Sequence, residues 1–235
     1  MRHAVVTGGG TGIGLAVARR LRADGDEVTI VGRRRDVLEG ASGGAFRVEV
    51  ADLREPDEVQ ALVDRLGVVD VLVLNAGGTA TRHDDGIAGA AAMWLDDFRL
   101  NVLTTVLLAE ALLPRMSRPG GRIVAMSSVA ALRGAGSYGA AKAAVSAWVT
   151  GTAAAVAKDG ITVNAVAPGF VPETEFWAGR LTDELVAGRL AGIPAGRPGT
   201  VEEVAEAVAY LTSPRAGWTT GQVLAVHGGS VLARL

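Results

Sequence analysis

The sequence predicts an α/β fold in which a doubly wound parallel sheet of about seven strands carries helices on both faces. Short apolar, β-branched runs alternate with longer helical segments along the chain, and repeated β–α alternation produces a parallel sheet with right-handed crossovers. Most of these runs are largely apolar, as expected of strands covered on both faces. The predicted strands are His3–Thr7, Glu27–Val31, Phe46–Val50, Val69–Leu74, Gly121–Met126, Thr162–Val166 and Gln222–Val226.

Five longer segments between the strands have the apolar periodicity of helices. No Pro/Ser-rich linker, composition break or short internal repeat interrupts the alternation. A chain of 235 residues is long enough to bury one complete core, so we expect residues 1–235 to form a single domain. The predicted helices lie near residues 13–24, 56–66, 97–116, 138–157 and 201–212.

The composition is that of an ordinary globular protein, with 49% hydrophobic residues, 20% charged residues and a formal net charge of -2. This charge gives no reason to expect nucleic acid or an anionic membrane as a partner. The chain has no cysteine, which excludes disulfide and thiol chemistry and suits a reducing cytoplasm. Its start lacks the regions of a signal peptide, and the most apolar stretch, Val102–Leu113, is too short to span a bilayer. We therefore expect a soluble cytoplasmic protein.

One short segment carries neighbouring side chains of the types that bind metals, namely His83, Asp84 and Asp85. Three loop residues without a further ligand are more typical of a solvent-facing segment than of a metal site. We therefore expect no bound metal.

The first predicted strand leads directly into a glycine-rich turn and then into a helix that begins near Ile13. Glycines let the backbone approach a pyrophosphate closely, and the free N–H groups at the start of the helix favour an anion. Glycine is abundant, 32 of 235 residues, so a turn without a ligand is the alternative. The position at the first strand–helix junction favours a Rossmann-type nucleotide site. The candidate contacts are Thr7, Gly8, Gly10, Thr11, Gly12, Ile13 and Gly14.

The residues after the second strand indicate which nucleotide is bound. No carboxylate stands at the strand end to bind the ribose 2′-hydroxyl of NAD; Arg33 and Arg34 stand there instead. Arginines can pair with the 2′-phosphate of NADP. A solvated basic helix start is the alternative. The sequence therefore favours NADP as cofactor, with NAD as the second choice.

Tyr138 and Lys142 are four residues apart, which places them on one face of a predicted helix. A lysine cation beside a phenol favours the phenolate, so we expect Lys142 to lower the pKa of Tyr138. Such a tyrosine can exchange a proton with an alcohol or carbonyl oxygen while hydride moves at a nicotinamide. Taken alone, the pair would be an ordinary helix surface.

Several motifs occur in the order found in the classical short-chain dehydrogenase/reductase family, which the chain resembles over essentially its whole length. Leu74 replaces the first asparagine of that family's NNAG segment. The matching segments are Thr7–Gly14, Leu74–Gly77, Asn101, Ser127–Ser128, Tyr138 with Lys142, Asn164–Gly169, and Gly196–Gly199 through Gln222.

The resemblance implies a role for each catalytic candidate. Tyr138 would be the general acid/base, and Ser128 would polarise the substrate oxygen. Lys142 would bind the nicotinamide ribose and tune Tyr138, and Asn101 would order a water in a proton relay. The resemblance also places in the cofactor site Asp52 and Leu53 beside the adenine, Asn75, Ala76, Gly77, Tyr138, Lys142, Pro168, Gly169, Val171 and, near the nicotinamide amide, Thr174.

Two of these assignments have structural alternatives. In the alternative interpretation, Asn75 serves only to support the sheet, and Asn101 is a polar residue that bends its helix. His227 replaces an aspartate common in the family near the last strand. A lone histidine there is more typical of packing or of a subunit contact than of catalysis.

The segment between Ser128 and Tyr138 is a few residues shorter than is usual in the family. Gly134 and Gly136 would permit the tight turn that this requires. The short loop leaves open whether Ser127 or Ser128 is catalytic. Ser137 is a remote third candidate because its side chain should point away from the face of Tyr138. We also expect the short loop to widen the mouth of the substrate pocket.

Residues 170–195 are expected to form a mobile lid over the substrate. Its aromatic residues, Phe170, Phe176 and Trp177, with Leu181 nearby, would form an apolar cover, or else anchor the segment to the core. An apolar pocket suits a lipophilic ketone, alcohol or acyl thioester.

The expected activity is hydride transfer between NADP(H) and a lipophilic carbonyl or secondary alcohol, as in 3-oxoacyl-thioester or ketone reductases. The rivals are a non-catalytic NAD(P)(H) sensor and a relative that dehydrates or epimerises its substrate. The helices near 97–116 and 138–157 are apolar over more than one face, which fits burial against a second subunit. The resemblance implies a homodimer or homotetramer, and close packing inside a monomer is the competing explanation.

Overall fold

The computed structural model describes residues 1–81 and 86–231. Its centre is a seven-stranded sheet in the order β3-β2-β1-β4-β5-β6-β7, and every pair of neighbouring strands is parallel. The predicted doubly wound α/β fold is confirmed. The strands are β1 His3–Thr7, β2 Glu27–Gly32, β3 Arg47–Val50, β4 Val71–Leu74, β5 Arg122–Met126, β6 Thr162–Pro168 and β7 Val223–Val226.

The described helices lie on both faces of this sheet. One core contains residues of α3, α5 and α7 against one face, and a second contains residues of α1 and α9 against the other. The helices are α1 Gly12–Ala23, α2 Arg35–Ser42, α3 Pro56–Leu66, α4 Gly86–Phe98, α5 Thr104–Leu112, α6 Val129–Arg133, α7 Gly136–Val156, α8 Asp183–Ala191 and α9 Val201–Thr212.

The apolar pattern explains both layers. All residues of β4, β5 and β6 are buried, as expected of central strands in a sheet with two covered faces. Val17, Ala18 and Leu21 form the buried stripe of α1, which packs beside α9. The first turn of α9 is fixed by a reciprocal capping box between Thr200 and Glu203.

The predicted helix over residues 97–116 is helical from Asp97 to Arg115, but it begins earlier, at Gly86, and is not a regular α-helix throughout. A π-helical turn, Arg99–Leu103, separates α4 from α5, and a 3₁₀ turn, Leu113–Arg115, follows α5. Side-chain hydrogen bonds to the helix backbone accompany the π-helical turn. Asn101 donates to the carbonyl of Asp97 at 2.9 Å, and Thr105 donates to the carbonyl of Asn101 at 2.8 Å. Such bonds compete with the regular ladder and bend helices.

Four further helices, α2, α4, α6 and α8, were not predicted. In α2 only Leu38 and Ser42 are buried, and in α8 no residue is buried. In α4 the buried residues are Gly89 and Asp97. None of these helices buries the repeated apolar stripe on which a periodicity argument depends.

Within the part of the chain that the structure describes, no helix combines the length and apolar character needed to cross a membrane. The described residues also contain no cluster of three or more side chains able to bind a metal ion. His83, Asp84 and Asp85 lie outside the described residues.

Candidate active site

A cavity of about 460 Å³ lies at the carboxyl edge of the sheet. The strand order reverses between β1 and β4, and ligands of open α/β sheets bind at such a point. Three of the predicted site residues, Thr7, Gly14 and Asn101, do not line the cavity. The predicted site residues that line the cavity are Gly8, Gly10, Thr11, Gly12, Ile13, Arg33, Arg34, Asp52, Leu53, Asn75, Ala76, Gly77, Ser128, Tyr138, Lys142, Pro168, Gly169, Val171 and Thr174.

The glycine turn between β1 and α1 has no room for side chains. Gly8 has a φ of 62° and Gly12 a φ of 51°, in the left-handed region that favours glycine. A Cβ on Gly14 would lie 2.1 Å from the carbonyl oxygen of Gly8. The side chain of Thr11, the N-cap of α1, makes no capping hydrogen bond within the described chain. The first backbone N–H groups of α1 are therefore available to an anion.

Thr7 and Asn75 fasten the turn to the neighbouring strand. The Thr7 hydroxyl accepts hydrogen bonds from the backbone N–H groups of Asn75 and Ala76, both at 2.9 Å. The Asn75 amide donates to the carbonyls of Thr7 at 3.0 Å and Gly8 at 3.3 Å. Asn75 thus supports the ends of β1 and β4, as its structural alternative expected, and it also lines the cavity.

Both arginines after β2, Arg33 and Arg34, line the cavity, and Arg34 already contacts a carboxylate. Arg34 donates to Glu175 at 2.6 Å. Arg54 forms a bidentate hydrogen-bonded pair with Asp52. This pair lowers the pKa of the Asp52 carboxyl, and the charge of Arg33 adds to the effect against the opposing effect of burial. Arg54 also lines the cavity, although it was not predicted as a site residue. Its position two residues after Asp52 is the sequence feature that could have indicated it.

Tyr138 and Lys142 project from the first turns of α7. Lys142 Nζ donates to the carbonyl of Met126 at 2.9 Å and lies 5.9 Å from the centre of the Tyr138 ring. Burial lowers the pKa of the Lys142 ammonium to about 8. The two side chains are together, as the spacing predicted.

The expected lowering of the Tyr138 pKa by Lys142 is wrong for this structure. Burial, and more weakly the charge of Asp97, raise the pKa of the phenol to about 12. The neighbouring Ser128 hydroxyl and the charge of Arg180 oppose that rise. Desolvation has the largest effect on the Tyr138 pKa because burial disfavours the charged phenolate. The Lys142 ammonium does not offset it, because it donates to a backbone carbonyl.

The two neighbouring serines after β5 differ in what they contact. Ser128 is the N-cap of α6, accepts a hydrogen bond from the backbone N–H of Ala130 at 3.1 Å, and interacts with the Tyr138 phenol. Ser127 is buried, with its hydroxyl 2.8 Å from that of Ser146. The geometry therefore brings Ser128, rather than Ser127, to Tyr138.

A buried carboxylate that was not predicted from the sequence lies behind Tyr138. Asp97 is 2% exposed and accepts hydrogen bonds from the Ser137 hydroxyl at 2.6 Å and the Ala80 backbone N–H at 2.8 Å. Ser137 thus points away from the cavity, as expected. No sequence motif distinguishes Asp97 from Asp96 beside it.

Asn101 lies behind the loop that follows β4. Its amide donates to the carbonyls of Gly78 and Asp97, each at 2.9 Å, and its Oδ1 accepts from the Gly78 N–H at 3.2 Å. A Cβ on Gly77 would lie 2.7 Å from Asn101 Oδ1 and 3.2 Å from Lys142 Nζ. Gly77 therefore permits both side chains to approach the backbone.

The segment after β6 covers the cavity with aromatic side chains. The Phe176 ring lies 5.3 Å from the Tyr138 ring, and the Trp177 ring lies 5.1 Å from Phe176 and 5.2 Å from Phe170. Phe170 itself is buried. The aromatics therefore do both things that the sequence left open, because Phe170 anchors the segment while Phe176 faces the site.

The short connection from Ser128 to Tyr138 folds as α6 followed by a glycine turn, with φ values of 72° at Gly134 and 59° at Gly136. Arg133, at the end of α6, donates to the carbonyl of Ser230 at 2.6 Å. Arg133 and Ser230 both line the cavity, and the wider mouth of the substrate pocket stays a prediction.

His227 lies beside the glycine that ends the Asn164–Gly169 segment. A Cβ on Gly169 would lie 2.7 Å from the His227 Cβ, and the buried Nδ1 of His227 has no hydrogen-bond partner among the described residues. This close packing fits the structural interpretation of the histidine.

Comparisons with known proteins agree over nearly the whole chain. A family model described as enoyl-(acyl carrier protein) reductase matches residues 8–230. The chain is 36% identical over 240 residues to the 3-oxoacyl-[acyl-carrier-protein] reductase FabG of Escherichia coli, covering 96% of each. It is 38% identical over 239 residues to nodulation protein G of a Rhizobium species, covering 97% of this chain and 96% of the relative.

Two solved structures have the same fold over nearly the whole chain. A short-chain type dehydrogenase/reductase from Mycobacterium ulcerans matches with a TM-score of 0.88 and 33% identity, over 97% of this chain and 89% of that one. An RhlG/NADP active-site complex from Pseudomonas aeruginosa matches with a TM-score of 0.87 and 29% identity, over 97% and 96%. The chain therefore belongs to the short-chain dehydrogenase/reductase family of oxidoreductases.

Proposed function

We propose that this protein is a carbonyl reductase that transfers hydride between NADP(H) and a carbonyl or secondary alcohol. The observation that carries this proposal is the meeting of Ser128 and Tyr138 at one wall of a cavity whose other walls include the glycine turn and Arg33 and Arg34. One hydroxyl is placed to bind a substrate oxygen, and the other to exchange a proton with it.

The walls of the cavity fit a dinucleotide. Gly8, Gly10 and Gly12 present only backbone to the cavity, which lets a pyrophosphate approach the start of α1 closely. The full set of cofactor contacts is the one predicted from the sequence, with Lys142 donating to the nicotinamide ribose and Arg33 and Arg34 pairing with a 2′-phosphate. When bound, the nicotinamide supplies or accepts the hydride.

The protein's own residues handle the proton and the substrate oxygen. Ser128 donates a hydrogen bond that holds and polarises the carbonyl. Tyr138 then gives its phenolic proton to that oxygen as negative charge develops on it. A pKa of about 12 keeps the phenol protonated at neutral pH, which favours reduction over oxidation.

Asn101 acts in this proposal by fixing the backbone of Gly77 and Gly78 between itself and Lys142. Both hydrogens of its amide are donated to backbone carbonyls. The water-ordering role that the resemblance implies stays a prediction.

The substrate class proposed is a lipophilic ketone or 3-oxoacyl thioester. The aromatic cover formed by Phe170, Phe176 and Trp177 supports an apolar chain next to the reacting carbon. The name of the Escherichia coli relative supports the thioester, and the NADP complex of the Pseudomonas aeruginosa protein supports NADP as the cofactor.

A cytoplasmic homodimer or homotetramer completes the proposal. On α4, Ile87 is 88% and Leu95 59% exposed, and helices with uncovered apolar faces commonly pack against a second subunit. Light scattering that returned the mass of one chain would contradict this.

Turnover of matched thioesters tests the activity. We expect NADPH absorbance to fall faster with a 3-oxoacyl thioester than with the 2-enoyl thioester of equal length, because Ser128 and Tyr138 converge on one oxygen. Reduction of the enoyl compound alone would overturn carbonyl reduction. Tight NADPH binding with no turnover of any carbonyl compound would support the rival, a non-catalytic sensor.

A further inference from the structure

The acidic and basic side chains around the cavity are unequally paired. The carboxylates that line it, Asp52 and Glu175, are each bonded to an arginine. Two arginines near the aromatic cover, Arg180 and Arg189, form no ion pair with any described carboxylate. These two exposed arginines, of which Arg189 lines the cavity, are therefore available to an anionic group.

Both guanidinium groups are held against aromatic rings. Arg180 Cζ lies 4.5 Å from the centre of the Phe176 ring and 5.7 Å from that of Trp177, and Arg189 Cζ lies 5.3 Å from Trp177. Stacking on a ring positions the planar group and leaves its N–H edge free to donate. A pair of such edges matches the geometry of a carboxylate or phosphate.

Arg180 is separated from the reacting phenol by one aromatic ring, that of Phe176. Phe176, on which Arg180 stacks, is itself 5.3 Å from the Tyr138 ring, and the charge of Arg180 reaches the phenol. Arg189 lines the same cavity as Tyr138. Of the two candidates for a 2′-phosphate, Arg34 is in contrast already paired with Glu175, whereas Arg33 only adds its charge to the surroundings of Asp52.

We propose that Arg180 and Arg189 form an oxyanion subsite, so that the preferred carbonyl substrate carries a carboxylate or phosphate on the far side of Phe176 from Tyr138. This deepens the proposed reductase function and rests on it. The aromatic rings then contact the apolar part of the substrate between the carbonyl and the anion. The oxyanion has two sources: a carboxylate of the substrate, or a phosphate on the carrier arm of an acyl thioester.

Two matched pairs of compounds separate these sources. The first pair is a 3-oxocarboxylate and its ethyl ester; the second is a 3-oxoacyl-coenzyme A and the same acyl group on neutral N-acetylcysteamine. The proteins compared are the wild type, Arg180→Gln, Arg189→Gln and the control Arg22→Gln, which changes an exposed arginine of α1 outside the cavity.

We expect the ratio of kcat/KM for the anionic compound to that for its neutral partner to fall about tenfold in each of the first two variants and to stay constant in the control. A fall confined to the first pair identifies the substrate's carboxylate, and one confined to the second identifies the phosphate. Unchanged ratios in both pairs would overturn the subsite.

If none of the four compounds is reduced, the proposed reductase function fails separately. The subsite is then tested by calorimetry on the protein with NADPH, titrated with a 3-hydroxycarboxylate and with its ethyl ester. We expect the acid to bind about tenfold more tightly than the ester to the wild type, and equally to Arg189→Gln. Equal binding of acid and ester to the wild type would overturn the proposal.

Discussion

The state of the Tyr138 phenol is set by burial and by three neighbouring groups. Loss of water and the Asp97 carboxylate favour the protonated phenol, whereas Ser128 and Arg180 favour the phenolate. The balance raises the pKa to about 12. Lys142 is buried beside this phenol, and its own pKa is lowered for the same reason of lost hydration.

Replacing Asp97 by asparagine removes a negative charge that raises the Tyr138 pKa, so that pKa should fall. Oxidation of a secondary alcohol needs the phenolate, and its rate with NADP⁺ should therefore begin to rise at lower pH than in the wild type. The pH profile of kcat measures this. Ser137→Ala is the matched control, because it removes a hydrogen bond to Asp97 and keeps the charge; an equal displacement of its profile would contradict the electrostatic role.

Replacing Lys142 by methionine should stabilise the fold at neutral pH. A folded-state pKa of about 8 against 10.5 means that the folded protein binds fewer protons than the unfolded chain between about pH 8 and pH 10.5, so stability rises with pH in that window. The free-energy cost of burying the charged ammonium of Lys142 is present in full below pH 8. It disappears as the pH rises to 10.5, and its upper bound is about 3 kcal/mol. The unbonded Met126 carbonyl offsets part of this gain.

Thermal unfolding at pH 7 and pH 10 measures the effect. The variant should be the more stable protein at pH 7, and the difference should shrink at pH 10. Lys158→Met, at an exposed lysine, is the control. A wild type more stable than Lys142→Met at pH 7 would contradict the assignment of a desolvation cost.

At the scale of elements, the ion pair between Arg34 and Glu175 joins the end of β2 to the covering segment after β6. Both side chains are more than half exposed, so the pair itself contributes about 0–1 kcal/mol. Its consequence lies in binding, because Glu175 holds the arginine that we assign to the 2′-phosphate.

Glu175→Gln should therefore lower the Kd for NADPH severalfold while leaving that for NADH unchanged, since only NADPH carries the phosphate that Arg34 would bind. Fluorescence titration of both cofactors measures the two constants. Glu39→Gln, which breaks an exposed pair with Arg35 outside the cavity, provides the comparison. Weaker NADPH binding in Glu175→Gln would show that the carboxylate assists the cofactor.

The elements differ in how well the sequence reports them. The strands can be predicted from the sequence because their apolar runs are buried on both faces. The Thr7–Gly14 turn can be predicted because positive φ angles and close contacts require glycine there. The π-helical turn between α4 and α5 could not be predicted, because it accompanies the side-chain hydrogen bonds of Asn101 and Thr105 to the backbone. Asp97 and Arg180 reach Tyr138 through tertiary packing, which no local spacing encodes.

At the scale of the whole molecule, the cavity collects residues from distant parts of the chain onto one edge of the sheet. Gly8 and Thr174 both line the cleft although five strands separate them in sequence. A Cβ on Gly12 would lie 3.3 Å from Thr174 Cγ2. Cofactor binding should therefore stabilise the whole fold rather than one loop.

A thermal-shift titration measures that coupling. NADPH at 100 times its Kd adds about 2.7 kcal/mol, which for a chain of this size raises the unfolding midpoint by roughly 5–10 °C. We expect a smaller shift with NADH, and we expect Arg33→Ala/Arg34→Ala to lose the NADPH shift selectively. A stronger response to NADH than to NADPH would contradict the assignment of these arginines to a 2′-phosphate.

The most direct test of the account is single-turnover reduction of a carbonyl substrate by the NADPH-saturated protein, comparing the wild type with Tyr138→Phe. The change removes one hydroxyl and leaves the ring beside Phe176. We expect the rate of hydride transfer to fall about 100- to 10,000-fold, with NADPH affinity kept within about twofold and the midpoint of unfolding within a few degrees. A variant that reduces the substrate at the wild-type rate would contradict the role of Tyr138 as the proton donor.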